Sequence, residues 1–256
     1  MSDTTQNSRY FVISYMTLRK SVGCLGIALP FVLAFGLMFD RYLALERWQW
    51  FVEPSISAYY HTDMRNIFVG ILCAIGVFLF SYRPYTGKEF DRDIGQGIIQ
   101  KILRWLGKLD DNQWGDIAGF CAVGVALFPT DDFDAPLTVV GAFHGLFAAL
   151  FFLIIAYFSL RLFTRSDKTP DSMTLEKRAR NQVYRTCGQI ILACIAILAL
   201  GKLVLSAGIL SQGLQNQIND LHPLFWLEAI MVLAFGVSWL TKGEAILADK
   251  ETNEEG

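Results

Sequence analysis

The chain has 256 residues, of which 53% are hydrophobic and only 18% charged, and its formal net charge is −2. This composition is too apolar for an ordinary soluble domain. The near-neutral charge and the lack of zinc-finger or helix-turn-helix patterns argue against nucleic acid as a partner. Five cysteines lie inside apolar runs without CxxC spacing, which disfavours a disulfide framework or a thiolate metal site. We therefore expect a membrane protein whose partners are lipids.

Six apolar segments approach or exceed the roughly 20 residues that a helix needs to cross a hydrocarbon core about 30 Å thick. They cover residues 22–39, 67–82, 114–128, 137–163, 187–210 and 224–240. Pro30 predicts a kink in the first helix rather than its end. The third segment is short, and its Gly119 and Gly124 predict close approach of neighbouring helices. The expected fold is all-α, a polytopic bundle of six transmembrane helices forming one domain over 1–256.

Lysine and arginine in the loops predict the orientation of these spans. The N-terminal tail, the loop 83–113, the segment 164–185 and the C-terminal tail carry 17 basic residues, whereas the opposite loops carry three. Both termini should therefore be cytoplasmic, in agreement with an even number of spans. The sequence has no small-residue cleavage pattern after the first apolar run, so we expect this run to remain as an anchor.

Within the loop 83–113, residues 92–109 have apolar side chains on one helical face and Lys101, Arg104 and Lys108 on the other. This pattern predicts an interfacial helix on the inner leaflet, where basic side chains meet anionic head groups. A short soluble helix under the bundle is the alternative.

Polar residues on the outer side form the candidate site. The stretch SISAYYHTDMRN separates two apolar runs, and ionisable groups inside spans suggest function by default. Tyrosine at an interface and basic groups that take phosphate favour a lipid head group or small amphiphile as the ligand. The candidate ligand-binding residues are Ser57, Tyr60, His61, Asp63, Arg65, His144, Lys202 and Glu228.

Several of these residues also have structural interpretations. Lys202 and Glu228 lie at similar depths, so an ion pair between them is an alternative to a ligand site, and Lys202 can also snorkel to the interface. The acidic stretch TDDFDA and the stretch NDLHP have the composition of turns. A third functional class, a transporter, is disfavoured because the chain has no matching pair of interrupted helices.

The three histidines, His61, His144 and His222, all fall on or near the outer side. Two or three histidines with a carboxylate can bind zinc and activate a water for hydrolysis. The chain has no HxxxH or HExxH pair, so the ligands would have to converge from separate segments. A zinc-dependent hydrolase of lipid amides or esters is thus the alternative to a lipid-binding protein without a cofactor.

The segment PSISAYYHTDMRNIFVGILCAIGVFL resembles the region after the first helix in the six-span family of damage-regulated autophagy modulators and their lipid-remodelling relatives. Pro54, Ile56, Ser57, Phe68 and Gly70 match that order. The runs WGDIAGFCAVGVALFPTDDFD and VVGAFHGLFAALFF are similar to the third and fourth helices of that family, and the loop 83–113 is an insertion relative to it. The resemblance implies a six-span architecture and a function related to lipids.

The pattern is also similar to uncharacterised bacterial six-span proteins, which implies a bacterial inner membrane. A weaker resemblance, carried by Ser57 and His61 in S-x-x-x-H spacing, is to the alkaline-ceramidase and progestin-receptor-like hydrolases. Those proteins have seven spans and a last-helix HxxxH pair, whereas Trp226 stands four residues after His222 here. The sequence thus predicts a multi-pass inner-membrane protein with an outward-facing polar pocket for a lipid or small amphiphile.

Overall fold

The computed structural model describes residues 2–47, 51–82, 111–131, 136–166 and 173–247, and the regular elements of these residues are all helical. The predicted all-α class is confirmed. In chain order the elements are α1 (Ser2–Leu45), a 3₁₀ helix (Ser57–His61), α2 (Arg65–Phe80), α3 (Asp111–Leu127), α4 (Val139–Tyr157) continuing into a π-helical turn (Phe158–Leu162), α5 (Leu175–Ser206), α6 (Gln212–Asp220) and α7 (Pro223–Lys242).

Each of the six predicted apolar segments overlaps one of these helices. Four of them, α1 from Tyr15 onward, α4 with its π turn, α5 and α7, are long and apolar enough to cross a membrane. The helices α2 and α3 have 16 and 17 residues, or about 24 and 26 Å at 1.5 Å per residue, which is shorter than a typical hydrocarbon core. The predicted interfacial helix at 92–109 lies outside the described residues.

The helices agree with the sequence prediction at Pro30 and differ from it at the start of α5 and at α6. Pro30 lies inside α1, which continues through it as expected. The helix α5 starts well before the predicted span, because the Thr174 hydroxyl accepts a hydrogen bond from the Lys177 N–H (3.2 Å) and so caps the first turn. The short helix α6, which has no buried residue, occupies a segment expected to be a loop.

Six of the helices form a ring in chain order. Each of α1 to α4 packs against the next, α5 packs against α7, and α7 closes the ring against α1. Close backbone contacts hold two of these pairs. A Cβ on Gly236 would lie 2.8 Å from the Gly23 carbonyl oxygen across α7 and α1, and a Cβ on Gly119 would lie 2.7 Å from the Gly76 carbonyl oxygen across α3 and α2. The predicted close approach at Gly119 is confirmed, and at Gly124 a Cβ would lie 2.6 Å from the Phe147 ring.

The two ends of the ring differ in composition. One end is covered by residues 51–64, which we call the cap, over a core that includes Phe68 and Phe225. The opposite end, which we call the basic end, holds Arg19, Lys177 and Lys242. Its core is aromatic: the fully buried Trp239 contacts the rings of Tyr82, Phe158 and Phe163.

Candidate functional site

The cap is an ordered segment whose polar side chains bond its own backbone. The Ser55 hydroxyl accepts from the Ala58 N–H (2.9 Å), and the Thr62 hydroxyl donates to the Tyr59 carbonyl (2.9 Å). Tyr59 is fully buried, with its ring 6.3 Å from that of Phe225 at the start of α7. Burial raises the pKa of the Tyr59 phenol to about 12, so it stays neutral at physiological pH. These bonds and this buried ring fix the cap on the ring of helices.

Glu228 joins α7 to the cap. Its carboxylate accepts a hydrogen bond from the Ile56 N–H (2.6 Å), and the Ser57 N–H is a second donor. In return, the Phe225 N–H at the start of α7 donates to the Pro54 carbonyl (3.0 Å). Since the first N–H groups of a helix have no partner within the helix, the carboxylate serves as the N-terminal cap of the 3₁₀ helix. Glu228 therefore has a clear structural task.

Lys202 does not share this site. Its side chain is exposed on α5, and the structure shows no ion pair between it and Glu228. Sequence depth suggested such a pair, but depth does not fix the angular position of a helix in a ring. The carboxylate instead accepts hydrogen bonds from backbone N–H groups. A pattern of side chains in the sequence cannot reveal such partners.

His61 and His144 both bind the connection between α3 and α4. The His61 Nε2 lies 2.7 Å from the Thr130 carbonyl oxygen, and the His144 Nδ1 lies 2.7 Å from that of Phe128. His144 is buried, with 4% of its surface exposed, whereas His61 is exposed. The two histidine rings thus contact the same turn, His144 from inside the bundle and His61 from the cap.

The same connection carries a carboxylate over the start of α4. Asp131 accepts from the backbone N–H of Thr138 (2.9 Å) and from its hydroxyl (2.5 Å), and these bonds lower the pKa of the Asp131 carboxyl. The Thr138 hydroxyl also caps α4 by accepting from the Gly141 N–H (3.0 Å). A Cβ at position 141 would overlap this carboxylate, so glycine leaves the space that it occupies.

The histidines do not assemble with other ligands into a metal site in the described part of the chain, where no three His, Cys, Asp or Glu side chains lie close enough to hold an ion. His222 sits at the start of α7 with a left-handed backbone (φ 48°), and its Nδ1 is buried without a hydrogen-bond partner. The residues present therefore give the zinc hypothesis no geometric support.

The remaining candidate residues lie at the surface of the cap or within it. Arg65 donates to the Tyr60 hydroxyl (2.6 Å) and lies 4.3 Å above the centre of that ring. The Tyr60 ring in turn meets His61 edge-on at 5.5 Å. Asp63 is exposed and Ser57 is buried. Arg65, Tyr60 and His61 thus form a chain of contacts along the surface rather than a pocket.

Glu53 adds a further charged contact at this end. It lies 3.5 Å from the Arg41 guanidinium, which itself lies over the Phe51 ring at 3.6 Å. Burial raises the pKa of the Glu53 carboxyl, an effect that Arg41, His222 and His61 oppose through their charge.

A cavity of about 40 Å³ lies beneath the cap at the centre of the ring. It has room for about two or three waters, and it is far smaller than the roughly 300 Å³ at which small-molecule sites begin. Ser57 and Glu228 are its polar members. The other lining residues are apolar: Leu29, Ile56, Phe68, Leu72, Ala122, Val125, Ala148, Phe151, Phe152 and Val232.

A larger concavity lies between α5 and α7, on the half of these helices nearer the basic end. This groove has a volume of about 630 Å³ and a mainly apolar lining. On α5 it extends from Ala179 to Ile190, and on α7 from Ile230 to Val237, with Leu247 at its end. The remaining lining residues are Gln182, Val183, Thr186, Cys187, Leu233 and Ala234. The two apolar runs of the sequence do not predict this groove, because a groove arises from the gap between two helices.

A buried arginine lies at the end of this groove. Arg180 is buried and donates to the Leu247 carbonyl (3.0 Å), which fastens the segment after α7 against α5. Arg178 and Arg185 are exposed on the same helix. An apolar groove with a guanidinium group at one end has the chemistry of a site for an amphiphile.

Comparison with known proteins gives no relative for this chain: no family model, no curated protein and no solved structure matches it. The chemistry of the groove and the cap is therefore the basis for a functional conclusion.

Proposed function

We propose that this protein is a multi-pass inner-membrane protein that binds a membrane lipid in the groove between α5 and α7. The observation that carries the proposal is the groove itself. Its volume of about 630 Å³ lies within the roughly 300–1,000 Å³ of known ligand sites, and its walls are mainly apolar. It is built by two of the four helices that are long and apolar enough to cross a membrane.

The length of the groove fits one leaflet of a bilayer. Ala179 and Ile190 are 11 residues apart on α5, which corresponds to about 16 Å of helix, or roughly half of a 30 Å hydrocarbon core. An acyl chain that runs from the basic end toward Ile230 at mid-helix would cover this apolar surface. The proposal thus places the lipid in the leaflet at the basic end, not under the cap.

The cap supports a lipid site less well. Its groups bond the backbone or one another, as Glu228 does with the Ile56 N–H and Arg65 with Tyr60, and the cavity below it holds only a few waters. The hydrolase hypothesis retains only the S-x-x-x-H spacing of Ser57 and His61. We therefore carry forward a lipid-binding function without a catalytic step.

The proposed topology has six spans with both termini in the cytoplasm, as the distribution of lysine and arginine predicts. The basic end supports this orientation, since Arg19 before the first apolar run donates to the Lys242 carbonyl at the end of α7 (3.3 Å). The basic end would then face the cytoplasm and the cap the opposite side. A kinship with the damage-regulated autophagy modulators is part of the same proposal.

Native mass spectrometry of the protein released from lipid nanodiscs tests the binding site. Thr186 is exposed and lines the groove, so Thr186→Trp should fill the groove and remove retained lipid. Gln189, three residues further along α5, is also exposed but does not line the groove. Gln189→Trp is the matched control and should retain lipid as the wild type does. Equal lipid retention in the two variants would overturn the proposal.

A further inference from the structure

We propose that α6 lies on the membrane surface at the cap end, where Leu214, Ile218 and Leu221 insert into the lipid leaflet. The partner of this helix is the apolar boundary of the leaflet and not a charged head group. The inference rests on the membrane topology proposed above but not on the groove, which lies nearer the basic end of α5 and α7.

The sequence of α6 separates apolar and polar side chains onto two faces. Leu214, Ile218 and Leu221 follow one another at spacings of four and three residues, which places them on one side of the helix. The opposite side carries Gln212 and Asn216, and the Gln212 amide donates to the Asn216 amide oxygen (3.3 Å). A helix with two such faces lies in a membrane interface with its apolar side toward the acyl chains.

The protein itself leaves this apolar face uncovered. No residue from 195 to 221 is buried, so the second half of α5 and all of α6 form an arm that the ring of helices covers only in part. Leu214 is 44% exposed, Leu221 is 70% exposed, and Ile209 just before α6 is 71% exposed. Apolar surface of this kind is more stable out of water, and a lipid leaflet covers it without any further protein chain.

The connections of α6 place it where a span meets the membrane surface. It joins α5 to α7, two helices that are long and apolar enough to cross a membrane. Residues with a left-handed backbone interrupt the helix on both sides, Gly208 (φ 65°) and His222 (φ 48°), so α6 does not continue the axis of either span. Trp226 in the first turn of α7 is 47% exposed, and tryptophan is enriched at membrane interfaces. These features hold α6 at the level of the interface.

The charge and the size of α6 favour a leaflet over other partners. The segment 211–221 has no lysine or arginine and one acidic residue, Asp220, so an anionic head group gives it no electrostatic gain. The nine residues of α6 span about 13 Å, which is too short to build the roughly 1,200 Å² of a stable protein interface. A leaflet requires no such area, because α5 and α7 already hold α6 against it.

Thiol labelling of the protein in nanodiscs tests this placement. Leu214→Cys and Asn216→Cys put a thiol on opposite faces of α6, and both positions are exposed in the protein alone. The thiolate is the reactive form and apolar surroundings raise the pKa of a thiol, so Leu214→Cys should react with a membrane-impermeant maleimide at least roughly tenfold more slowly than Asn216→Cys. Wild-type protein gives the background from the five native cysteines, and unfolding in guanidinium chloride should make the two rates equal.

The lipid composition and the number of copies in each nanodisc separate the possible partners. Protection of Leu214→Cys should be the same in phosphatidylcholine and in phosphatidylglycerol, because α6 has no basic group. Equal labelling of the two variants would overturn the inference, and so would protection that required phosphatidylglycerol. Protection confined to nanodiscs with two copies would show that a second copy covers Leu214, which would also overturn it.

The groove proposal is tested separately from this one. Lipid retention in Thr186→Trp reports on the groove, whereas the labelling of Leu214→Cys and Asn216→Cys reports on α6. If Thr186→Trp retained lipid and Leu214→Cys was protected, the groove proposal alone would fail. If Thr186→Trp lost lipid and both thiols reacted alike, the inference about α6 alone would fail.

Discussion

The cap and the basic end use polar residues in opposite ways. At the cap, Glu228, His61 and His144 all bond backbone groups of loops. At the basic end, the polar Gln182 and Thr186 are exposed in an apolar groove. Backbone groups near a membrane need partners, because lipid supplies none, so polar side chains between two spans often serve the chain itself. Polar residues next to unfilled apolar space are the better indication of a ligand.

The largest expected effect at the cap is that of Glu228→Ala. It removes the acceptor of the Ile56 N–H and leaves this buried donor unpaired, which should cost about 2–3 kcal/mol of unfolding free energy. Glu228→Gln keeps an acceptor oxygen and should cost less. Denaturant unfolding in detergent micelles measures both. The exposed Lys202→Ala is the control, expected within about 0.5 kcal/mol of the wild type. If Glu228→Ala matched this control, the carboxylate would not hold the cap.

The two histidines should differ although they brace the same turn. His144→Ala removes a buried ring and its bond to the Phe128 carbonyl, so we expect a loss of about 2 kcal/mol. His61→Ala removes an exposed bond to the Thr130 carbonyl and should cost roughly 0.5–1 kcal/mol. The same denaturant titrations measure the difference. A larger loss for His61 would show that the turn is held mainly from the cap.

The sequence predicted much of the fold because length and hydropathy determine where membrane helices lie. All six apolar segments are helical, and Gly119 makes the close contact that its place in a short span suggested. The short polar α6 was missed since it lacks an apolar run.

The candidate site was harder to predict from the sequence. The partners of Glu228 and His144 are backbone groups, which every residue carries, so no pattern distinguishes them. The groove depends on which helices are neighbours, and α5 meets α7 rather than the short α6 that follows it in sequence. Membrane depth, which the sequence does give, could not pair Lys202 with Glu228 correctly.

Two carboxyl groups at the cap end should make the unfolding free energy weakly dependent on pH. Thr138 lowers the pKa of Asp131 in the folded protein, so its stabilising contribution is present above the unfolded value of 3.8 and is lost as the pH falls through the lower folded pKa. Burial raises the pKa of Glu53, so its contribution is present below 4.5 and is lost as the pH rises through the higher folded pKa.

Unfolding titrations between pH 3 and pH 7 measure these opposite slopes. Asp131→Asn should flatten the acid side of the stability curve. Glu53→Gln should flatten the fall in stability above pH 4.5, by only a few tenths of a kcal/mol because the charge of Arg41 offsets the effect of burial. If the curves of unfolding free energy against pH were parallel for the wild type and both variants, the pKa shifts of Asp131 and Glu53 would be contradicted.

The smallest effect on stability is expected at the basic end, where the largest effect on binding is proposed. Thr186→Trp alters an exposed side chain, and such a change usually shifts the unfolding free energy by less than about 0.5 kcal/mol. In lipid-free detergent, this variant should therefore have the same unfolding free energy as the wild type. With phospholipid added, the wild type should gain stability by mass action, whereas Thr186→Trp should gain less or none. Glu228→Ala should show the reverse, a large loss without lipid and the full gain with it. Variants of the basic end that lost stability in lipid-free detergent would place their side chains in the packing of the ring, and the contrast between the two ends would fail.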